Sequence, residues 1–585
     1  MIPPTKGAGL PPTATPTAGS ISILQTLELL DGRFAGLAQG VAGGRYALWL
    51  GSGISRERVD DLKKVIRRVL AYLRSNADFS LPDCSYVRAL DDAVRFAELS
   101  AMEVAAFDYT KQFANWGAVG DTVVSRLLNK YSALLDIRID GELPDHLMWD
   151  VVDVAGTYGR AGLQPDCEHL CIALLAIEGC LPEIASANWD GLIEKAVDEL
   201  AGPRNGVLTT YVRPEDFRGR DPRSRLMKFH GCAVLASGNP AVYRPLLIGR
   251  VSQIEGWTSD PNSAVMRQQL IGVAVIRPTL MVGLSAQDLD IRDLFNQAKV
   301  LLHWEWPSST PAHVFAEETL GHNQNTILSC VYRDAYDKDP RAIQQSAQFR
   351  AFAKPLFVGL VLHVLCTKLA ALARCAHGAL FSATEFDRLG SGIRSLRNKL
   401  AGHGDVDRTG FIRSIIAELT RALGMLRGDL AGTRYLGVSI HPLGQISSDP
   451  GNNTSGLPEL AAVIGILGLG EQRGDWAVHR ADPSTPSSGA LIVMPAGGAT
   501  PQRVFFVANT DAALQLNLAG AVTDHDSDAI VVCSTIVAQR PRRSPRGKKG
   551  RTGIVDTRHF SMRALLRQAA DLTEFQRLFR QAATL

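Results

Sequence analysis

A glycine-rich turn follows the first strongly apolar run of the chain. Tyr46–Leu50 is short and rich in strand-forming residues, and it breaks into Gly51-Ser52-Gly53. The apolar spacing between Val59 and Leu70 predicts a helix that starts at the turn. Glycines let backbone N–H groups approach a phosphate, and a helix N-terminus adds a favourable dipole for an anion. We interpret Gly51, Ser52 and Gly53 as candidate phosphate contacts, with a plain structural turn as the alternative.

Polar or small residues also end three later apolar runs. These ends are Asn188-Trp189-Asp190-Gly191 after Glu183–Ala187, His230-Gly231 after Leu226–Phe229, and Gly283-Leu284-Ser285 after Thr279–Val282. Open α/β sheets place ligand contacts at the carboxyl ends of their strands. A carboxamide, a carboxylate and an imidazole gathered there could position a sugar and activate a water molecule. A lone histidine is more often structural, but four such strand ends together predict one shared site.

The elements that would position these residues predict an α/β fold. A Rossmann-like parallel sheet is expected to carry a large helical insertion, followed by a helical segment and a C-terminal α/β domain. The clearer helical patterns in the insertion include Val94–Val104, Thr122–Leu135 and Cys167–Ile177. The predicted divisions are a disordered leader at 1–20, a sheet domain at 21–355 with its insertion near 81–180, a helical connecting region at 356–443 and a C-terminal domain at 456–585, where Arg563–Phe579 reads as one closing helix.

Composition indicates a protein without a global preference for polyanions or membranes. The 585 residues are 46% hydrophobic and 21% charged, with a formal net charge of +3. The nine cysteines lack paired CxxC spacings, which favours a reducing, cytoplasmic setting. The most apolar stretch, Pro355–Ala376, contains His363, Lys368 and Arg374, so we expect a buried helix and no membrane span.

The strand ends, taken in order, resemble the sirtuin-like NAD-binding family. The segments GSGIS, NWDGLIEKA, KFHG and GLSAQDLD occur in the family's order, over about residues 40–350. The resemblance implies that the catalytic residues are Asn188, His230 and Asp190, with His230 as the base and Asn188 and Asp190 at the nicotinamide ribose. It also implies that Gly51, Ser52 and Gly53 bind the NAD diphosphate and that Gly283 and Ser285 flank the adenosine.

Two departures from that family separate this chain from its protein deacylases. RERVDDLKK stands where a deacylase carries a PxFR-like segment, and Cys232 is the single cysteine between His230 and Gly283, so no four-thiolate zinc site can form there. The long insertion resembles instead the bacterial anti-phage branch, whose domains hydrolyse NAD. The resemblance thus implies an NAD hydrolase that depletes cellular NAD. A protein deacylase and a non-enzymatic NAD or nucleotide sensor remain the alternatives.

The remaining expectations concern partners and metals. Members with such appendages act as homo-oligomers or with a defence partner such as a short Argonaute or a ring-forming ATPase. The basic run Arg540–Arg551 is expected to be an exposed loop that either contacts nucleic acid or is merely solvated. Cys167, His169 and Cys171 could form half of a metal site, but without a second cysteine pair we predict buried thiols and no metal.

Overall fold

The structure is a computed structural model that describes residues 16–203, 206–219, 222–301, 304–376, 381–498, 500–535 and 557–585. Residues 1–15 of the predicted leader and the basic run Arg540–Arg551 lie outside the described residues. The end of that predicted leader packs against the protein body. Ala18 is buried, its N–H donates to the Glu318 carboxylate, and its carbonyl accepts the N–H of Phe352. Ala18, which composition alone assigned to the disordered leader, is therefore packed against the rest of the protein.

The first sheet consists of seven parallel strands. They are β1 (Ala47–Leu50), β2 (Glu183–Ser186), β3 (Leu208–Tyr211), β4 (Ser224–Lys228), β5 (Thr279–Val282), β6 (His313–Ala316) and β7 (Gln348–Phe349). Their order across the sheet is β3–β4–β2–β1–β5–β6–β7, with β1 in the centre. This confirms the predicted α/β fold with a Rossmann-like parallel sheet.

The register of the central strands brings their carboxyl ends level. Leu50 of β1 lies opposite Ser186 of β2 and Val282 of β5, and Ser186 lies opposite Lys228 of β4. The loops that follow these four strands therefore start side by side at one edge of the sheet.

Helices cover both faces of this sheet. Leu48 and Leu50 point to one face and join its core, whereas Ala47 and Trp49 join a separate core on the other face. The helices up to residue 347 are α1 (Ile23–Asp31), α2 (Ala35–Ala42), α3 (Leu62–Asn76), α4 (Ser85–Phe96), α5 (Ala101–Ala105), α6 (Gly117–Leu127), α7 (Tyr131–Leu135), α8 (Val154–Thr157), α9 (Cys167–Ile177), α10 (Leu192–Ala201), α11 (Ala233–Gly238), α12 (Pro240–Tyr243), α13 (Val251–Trp257), α14 (Ala264–Ile276), α15 (Leu289–Leu301), α16 (His322–Tyr332), α17 (Asp334–Lys338) and α18 (Pro340–Ala347).

The helical insertion has its own core, formed by α3, α4, α6, α7 and the residues around α8. Its bounds differ from the predicted 81–180 at both ends. Helix α3 belongs to the insertion, because Val65, Ile66 and Val69 line its core. Helix α9 does not, because every one of its residues is buried and it packs between α10 and the helical region that follows the sheet. A helix that is apolar on all sides is a core helix of the sheet domain.

The helical region centres on one long buried helix. Its helices are α19 (Ala353–Cys375), α20 (Ala383–Ala401), α21 (Arg408–Arg427), α22 (Asn452–Ser455) and α23 (Leu457–Gln472). Among the described residues, α19 alone has the length and apolar composition to cross a membrane, but 78% of its most apolar stretch is buried inside the protein. It packs against α1, α9, α20 and α23, as expected for a core helix.

The C-terminal sheet is mixed. Its strands are β8 (Trp476–Arg480), β9 (Leu491–Pro495), β10 (Gln502–Val507), β11 (Ala529–Cys533) and β12 (Arg558–Ser561), in the order β12–β11–β10–β9–β8. Strands β10, β11 and β12 are parallel, and β8 and β9 are antiparallel. The helices here are α24 (Thr510–Leu518), α25 (Met562–Gln568) and α26 (Leu572–Ala583). The prediction of a single closing helix at Arg563–Phe579 is wrong. The stretch is divided between α25 and α26, because the Asp571 side chain caps a new helix.

Candidate functional site

A cavity of about 450 Å³ lies at the carboxyl edge of the first sheet, where β1, β2, β4 and β5 end. A second cavity of about 280 Å³ adjoins it across the Gly51–Gly53 turn. Of the eight site residues that the sequence predicted, Gly53 lines the second cavity, and Gly283 lines both. The other six line the first cavity: Gly51, Ser52, Asn188, Asp190, His230 and Ser285. Residues far apart in the sequence are thus brought to one place.

The glycines of the turn allow the backbone after β1 to approach the backbone after β5 closely. A Cβ added at Gly51 would lie 2.3 Å from the carbonyl oxygen of Gly283, and one at Gly53 would lie 2.5 Å from the Gly283 Cα. The N–H of Gly51 donates to Val282 O, and that of Gly53 donates to Gly283 O. Ser52 is an exposed residue, and its N–H is the one of the three that donates to neither Val282 nor Gly283.

The helix predicted to start at this turn begins only at Leu62, so its N-terminus does not face the glycines. A short 3₁₀ turn covers Ser52–Ile54, and the Asp61 side chain caps α3 by accepting the N–H of Lys64. A positive charge at the turn comes instead from Arg56, an exposed residue that lines both cavities. A side chain thus takes the place of the helix dipole as the positive group that lines both cavities at this turn.

Asn188 is the last member of a buried hydrogen-bond chain. Its Nδ2 donates to the Ser55 Oγ at 3.4 Å, the Ser55 Oγ lies 3.1 Å from the His169 Nε2, and the N–H of Asp166 donates to the His169 Nδ1 at 3.2 Å. Asn188, Ser55 and His169 are all buried. The Asn188 Oδ1 has no hydrogen-bond partner among the described residues.

The hydrogen bond from the Asp166 N–H to the His169 Nδ1 determines which atoms donate and which accept in the other hydrogen bonds of this chain. Because Nδ1 accepts, the proton of a neutral His169 sits on Nε2 and is donated to Ser55. Burial lowers the pKa of His169, which keeps the ring neutral. Ser55 then accepts from both His169 and Asn188, which leaves the Asn188 Oδ1 as a buried acceptor that a ligand hydroxyl or a water would satisfy.

His230 is paired with an aspartate from α15. Its Nε2 lies 2.7 Å from the Oδ2 of Asp290, and both side chains are buried. Burial alone would lower the pKa of His230, but the charge and hydrogen bond of Asp290 raise it overall. This contact uses Nε2 and leaves Nδ1 as the second ring nitrogen of a residue that lines the first cavity. The sequence pointed to His230 but not to the role of Asp290.

Two further carboxylates shape the first cavity. Asp190 accepts the N–H of Leu192, the first residue of α10, at 3.1 Å, while its own carbonyl accepts from the buried ammonium of Lys228. Asp288 accepts the hydroxyl of Tyr131 at 3.0 Å, and burial raises the pKa of Asp288. Tyr131 belongs to the insertion, so the insertion contributes to the wall of the site.

The second cavity carries acidic residues. Glu317 follows β6, and Glu168 comes from α9. Burial raises the pKa of both carboxyl groups, that of Glu168 to about 7. Both cavities thus carry carboxyl groups, but the amide of Asn188 and the imidazole of His230 line only the first.

The structure groups no metal ligands in the part of the chain that it describes. No set of three or more His, Cys, Asp or Glu side chains there is arranged to hold an ion. Cys167 and Cys171 are buried, and the His169 between them bonds to Ser55 and the Asp166 backbone. These contacts give His169 a role within the candidate site, which sequence spacing could not distinguish from half of a metal site.

Fold and site together define an α/β protein with a Rossmann-like sheet and a two-part cavity at the switch between β1, β2 and β5. Comparison of the chain with protein-family models and with curated proteins finds no match.

Proposed function

We propose that this protein is an NAD glycohydrolase of the sirtuin-like kind, which cleaves NAD to nicotinamide and ADP-ribose. The observation that carries the proposal is the pairing of the two cavities across the glycine turn. Asn188 and His230 lie on one side of that turn, and Glu317 lies on the other. An extended dinucleotide has two nucleoside ends joined by a diphosphate, and this arrangement matches it.

In this proposal each part of NAD contacts a different part of the site. The diphosphate lies at the turn, where Ser52 offers its N–H and Arg56 a positive charge. The nicotinamide ribose lies beside Asn188 and Asp190, and its hydroxyl or the attacking water donates to the buried Asn188 Oδ1. The adenosine extends past Gly283 towards Glu317, whose carboxylate suits a ribose diol.

The reaction breaks the bond between C1′ of the ribose and N1 of nicotinamide. The bonding electrons leave with nicotinamide, and a water oxygen forms the new bond to C1′. The developing positive charge on the ribose resembles an oxocarbenium ion. His230 takes the proton of the water through Nδ1, and Asp290 stabilises the imidazolium that results.

The biological setting is proposed from the resemblance to the bacterial anti-phage branch. In that setting the protein acts in the cytoplasm and depletes NAD, either as a homo-oligomer or with a partner such as a short Argonaute or a ring ATPase. All nine cysteines are free thiols, which agrees with a reducing compartment. The region around the second sheet is proposed to sense a trigger or to mediate assembly, with Arg540–Arg551 as a contact for nucleic acid.

The experiment that tests this setting follows NAD in infected bacteria. Cells carrying the wild type or the Asn188→Ala variant are challenged with a panel of phages, and NAD and nicotinamide are measured over time. NAD loss that requires Asn188 supports the proposal. Unchanged NAD in every infection, together with tight NAD binding by the purified protein, would support the sensor alternative. A zinc-dependent release of acyl groups from peptides would support the deacylase.

A further inference from the structure

Two aromatic rings separate the first cavity from an apolar cavity behind it. Tyr158 lines both, and its ring meets that of Trp189 edge to face, with centroids 5.4 Å apart and planes at 90°. The apolar cavity has a volume of about 340 Å³. Its apolar lining includes Leu163, Leu192, Val234 and Leu235. We call Tyr158 and Trp189 the ring partition.

Each ring of the partition is held by a directed hydrogen bond. The Trp189 Nε1 donates to the carbonyl of Ile248 at 3.2 Å, and the Tyr158 hydroxyl donates to the carbonyl of Asp60 at 2.8 Å. The backbone of Trp189 is fixed too, because its carbonyl accepts the N–H of Ala233. Both ring positions are therefore defined by the fold.

Little space remains around the Trp189 ring. A Cβ added at Gly249 would lie 2.7 Å from the Trp189 Cζ2 and 2.9 Å from the Met148 Sδ. The glycine thus allows the segment after β4 to approach the indole closely. The ring is partly buried and packs between that segment and the insertion core.

The partition stands beside the histidine. The N–H of Ile248 donates to the carbonyl of His230 at 3.0 Å, and Ile248 is also the residue that receives the Trp189 indole. Trp189 and His230 are therefore both hydrogen-bonded to Ile248. A nucleophile that gives its proton to His230 must stand close to that ring nitrogen. His230, Tyr158 and Trp189 all line the first cavity, so a nucleophile beside His230 shares that cavity with the ring partition.

We propose that the ring partition selects the acceptor of the reaction: it restricts the acceptor to water by excluding nucleophiles that carry a chain. This inference rests on the proposed NAD cleavage. With water, NAD⁺ and H₂O give nicotinamide, ADP-ribose and H⁺. With an alcohol, the oxygen of ROH forms the bond to C1′, nicotinamide leaves with the bonding electrons, and the alcohol proton passes to His230 and then to solvent. The products are then nicotinamide, O-alkyl-ADP-ribose and H⁺.

Opening the partition would join the two cavities. A Trp189→Ala substitution removes the indole that faces the first cavity, and Tyr158→Leu removes the phenol that separates the two spaces. The alkyl chain of a bound alcohol could then extend into the apolar cavity. The partition would therefore decide which product forms at a given alcohol concentration.

The test measures the ratio of O-alkyl-ADP-ribose to ADP-ribose by mass spectrometry, with methanol, 1-butanol and 1-hexanol as probes. The ratio is taken among products already formed, so it does not depend on how fast each variant turns over. Trp149→Ala serves as the matched control, since Trp149 packs in the same insertion core but lines neither cavity. Trp189→Ala and Tyr158→Leu are two independent ways to open the partition.

We expect wild type and Trp149→Ala to give butyl and hexyl ratios far below the ratio that each gives with methanol. At least one of the two partition variants should raise the butyl or hexyl ratio tenfold or more. Butyl product from the wild type at the ratio seen with methanol would overturn the inference and leave NAD cleavage standing. Partition variants that release nicotinamide but form ADP-ribose alone would also overturn it. Absence of nicotinamide release from the wild type under every trigger overturns the proposed function and this inference with it.

Discussion

The Nε2 of His230 lies 2.7 Å from the carboxylate of Asp290, which belongs to α15 and is fully buried. The pair raises the pKa of His230 above its ordinary value, so the free base becomes available only towards higher pH. Asp290→Asn should move the acid limb of the profile of kcat/KM to lower pH, because the charge that holds the proton is gone. It should also lower kcat, by up to the roughly 10²–10⁴-fold that a positioned base contributes.

A stability measurement provides the control for that variant. A histidine with a raised pKa stabilises the folded state below its ordinary pKa, and the contribution disappears as the pH rises through the raised value. The stability lost in Asp290→Asn should therefore be greatest in acid and shrink towards pH 8. An unchanged acid limb in a folded Asp290→Asn protein would show that His230 does not set the pH dependence.

Ser55→Ala tests whether the chain from His169 positions Asn188. Without the hydroxyl, the Asn188 Nδ2 loses its acceptor and the amide is free to turn. We expect kcat to fall about tenfold or more, while the Kd for NAD changes little, because positioning affects the chemical step. Ser263→Ala is the matched control, since Ser263 is also buried but bonds to Trp257 and lines neither cavity. Equal losses in kcat from both variants would contradict the positioning role.

The bounds of helices and strands were predicted correctly where the local sequence pattern was strong. Cys167–Ile177 and Thr279–Val282 have the predicted bounds, because apolar runs there end at capping residues or turns. Helix α3 starts later than predicted, since Val59 fits the helical spacing but Asp61 caps the helix. The strand His313–Ala316 was not predicted, because it is short and gains its order from pairing with β5.

The sequence predicted which residues line the site, but it did not predict the contacts that those residues make. Asn188 and His230 end apolar runs, a pattern that is visible in the sequence. The partners Ser55, His169 and Asp290 act through contacts between distant segments, which local patterns do not encode. The glycines of the turn show the same limit. Their proximity to Gly283 gives them a packing reason that the motif alone could not reveal.

Glu168→Gln should stabilise the protein in a pH-dependent way. Burial raises the pKa of Glu168 from 4.5 to about 7, so between these values the folded protein keeps a proton that the unfolded chain releases. Stability therefore falls as the pH rises through that window. Glutamine cannot ionise, and the variant should gain about 1–3 kcal/mol at pH 8 and almost nothing at pH 4.5.

Denaturant unfolding at the two pH values measures this effect. Glu57→Gln is the control, because Glu57 lines the same cavity but is exposed, and its effect should stay within about 0.5 kcal/mol. A Glu168→Gln protein that is less stable than the wild type at pH 8 would mean that the carboxylate has a favourable partner in the folded state.

The buried pair of Lys368 and Glu178 should be needed to hold α19 against the sheet domain. Their charged atoms are 2.9 Å apart, and neither side chain is exposed. Lys368→Met leaves Glu178 as an unpaired buried charge, which typically costs about 3–5 kcal/mol. Adding Glu178→Gln removes that charge and should restore part of the loss, as followed by thermal unfolding.

A partly exposed ion pair provides the comparison. Lys399 pairs with Glu471 nearer the surface, so Lys399→Met should cost less than about 1 kcal/mol. If Lys368→Met were no more harmful than Lys399→Met, the buried pair would not be holding the helix in place.

The most direct measurement of the central claim is chromatographic detection of nicotinamide released from NAD by the purified protein, with and without candidate triggers. We predict that the activated wild type converts NAD to nicotinamide and ADP-ribose. Asn188→Ala and His230→Ala should lose about 10²–10⁴-fold of that rate while circular dichroism shows an unchanged fold. Undiminished nicotinamide release by both well-folded variants would contradict the assignment of this cavity as the site of NAD cleavage.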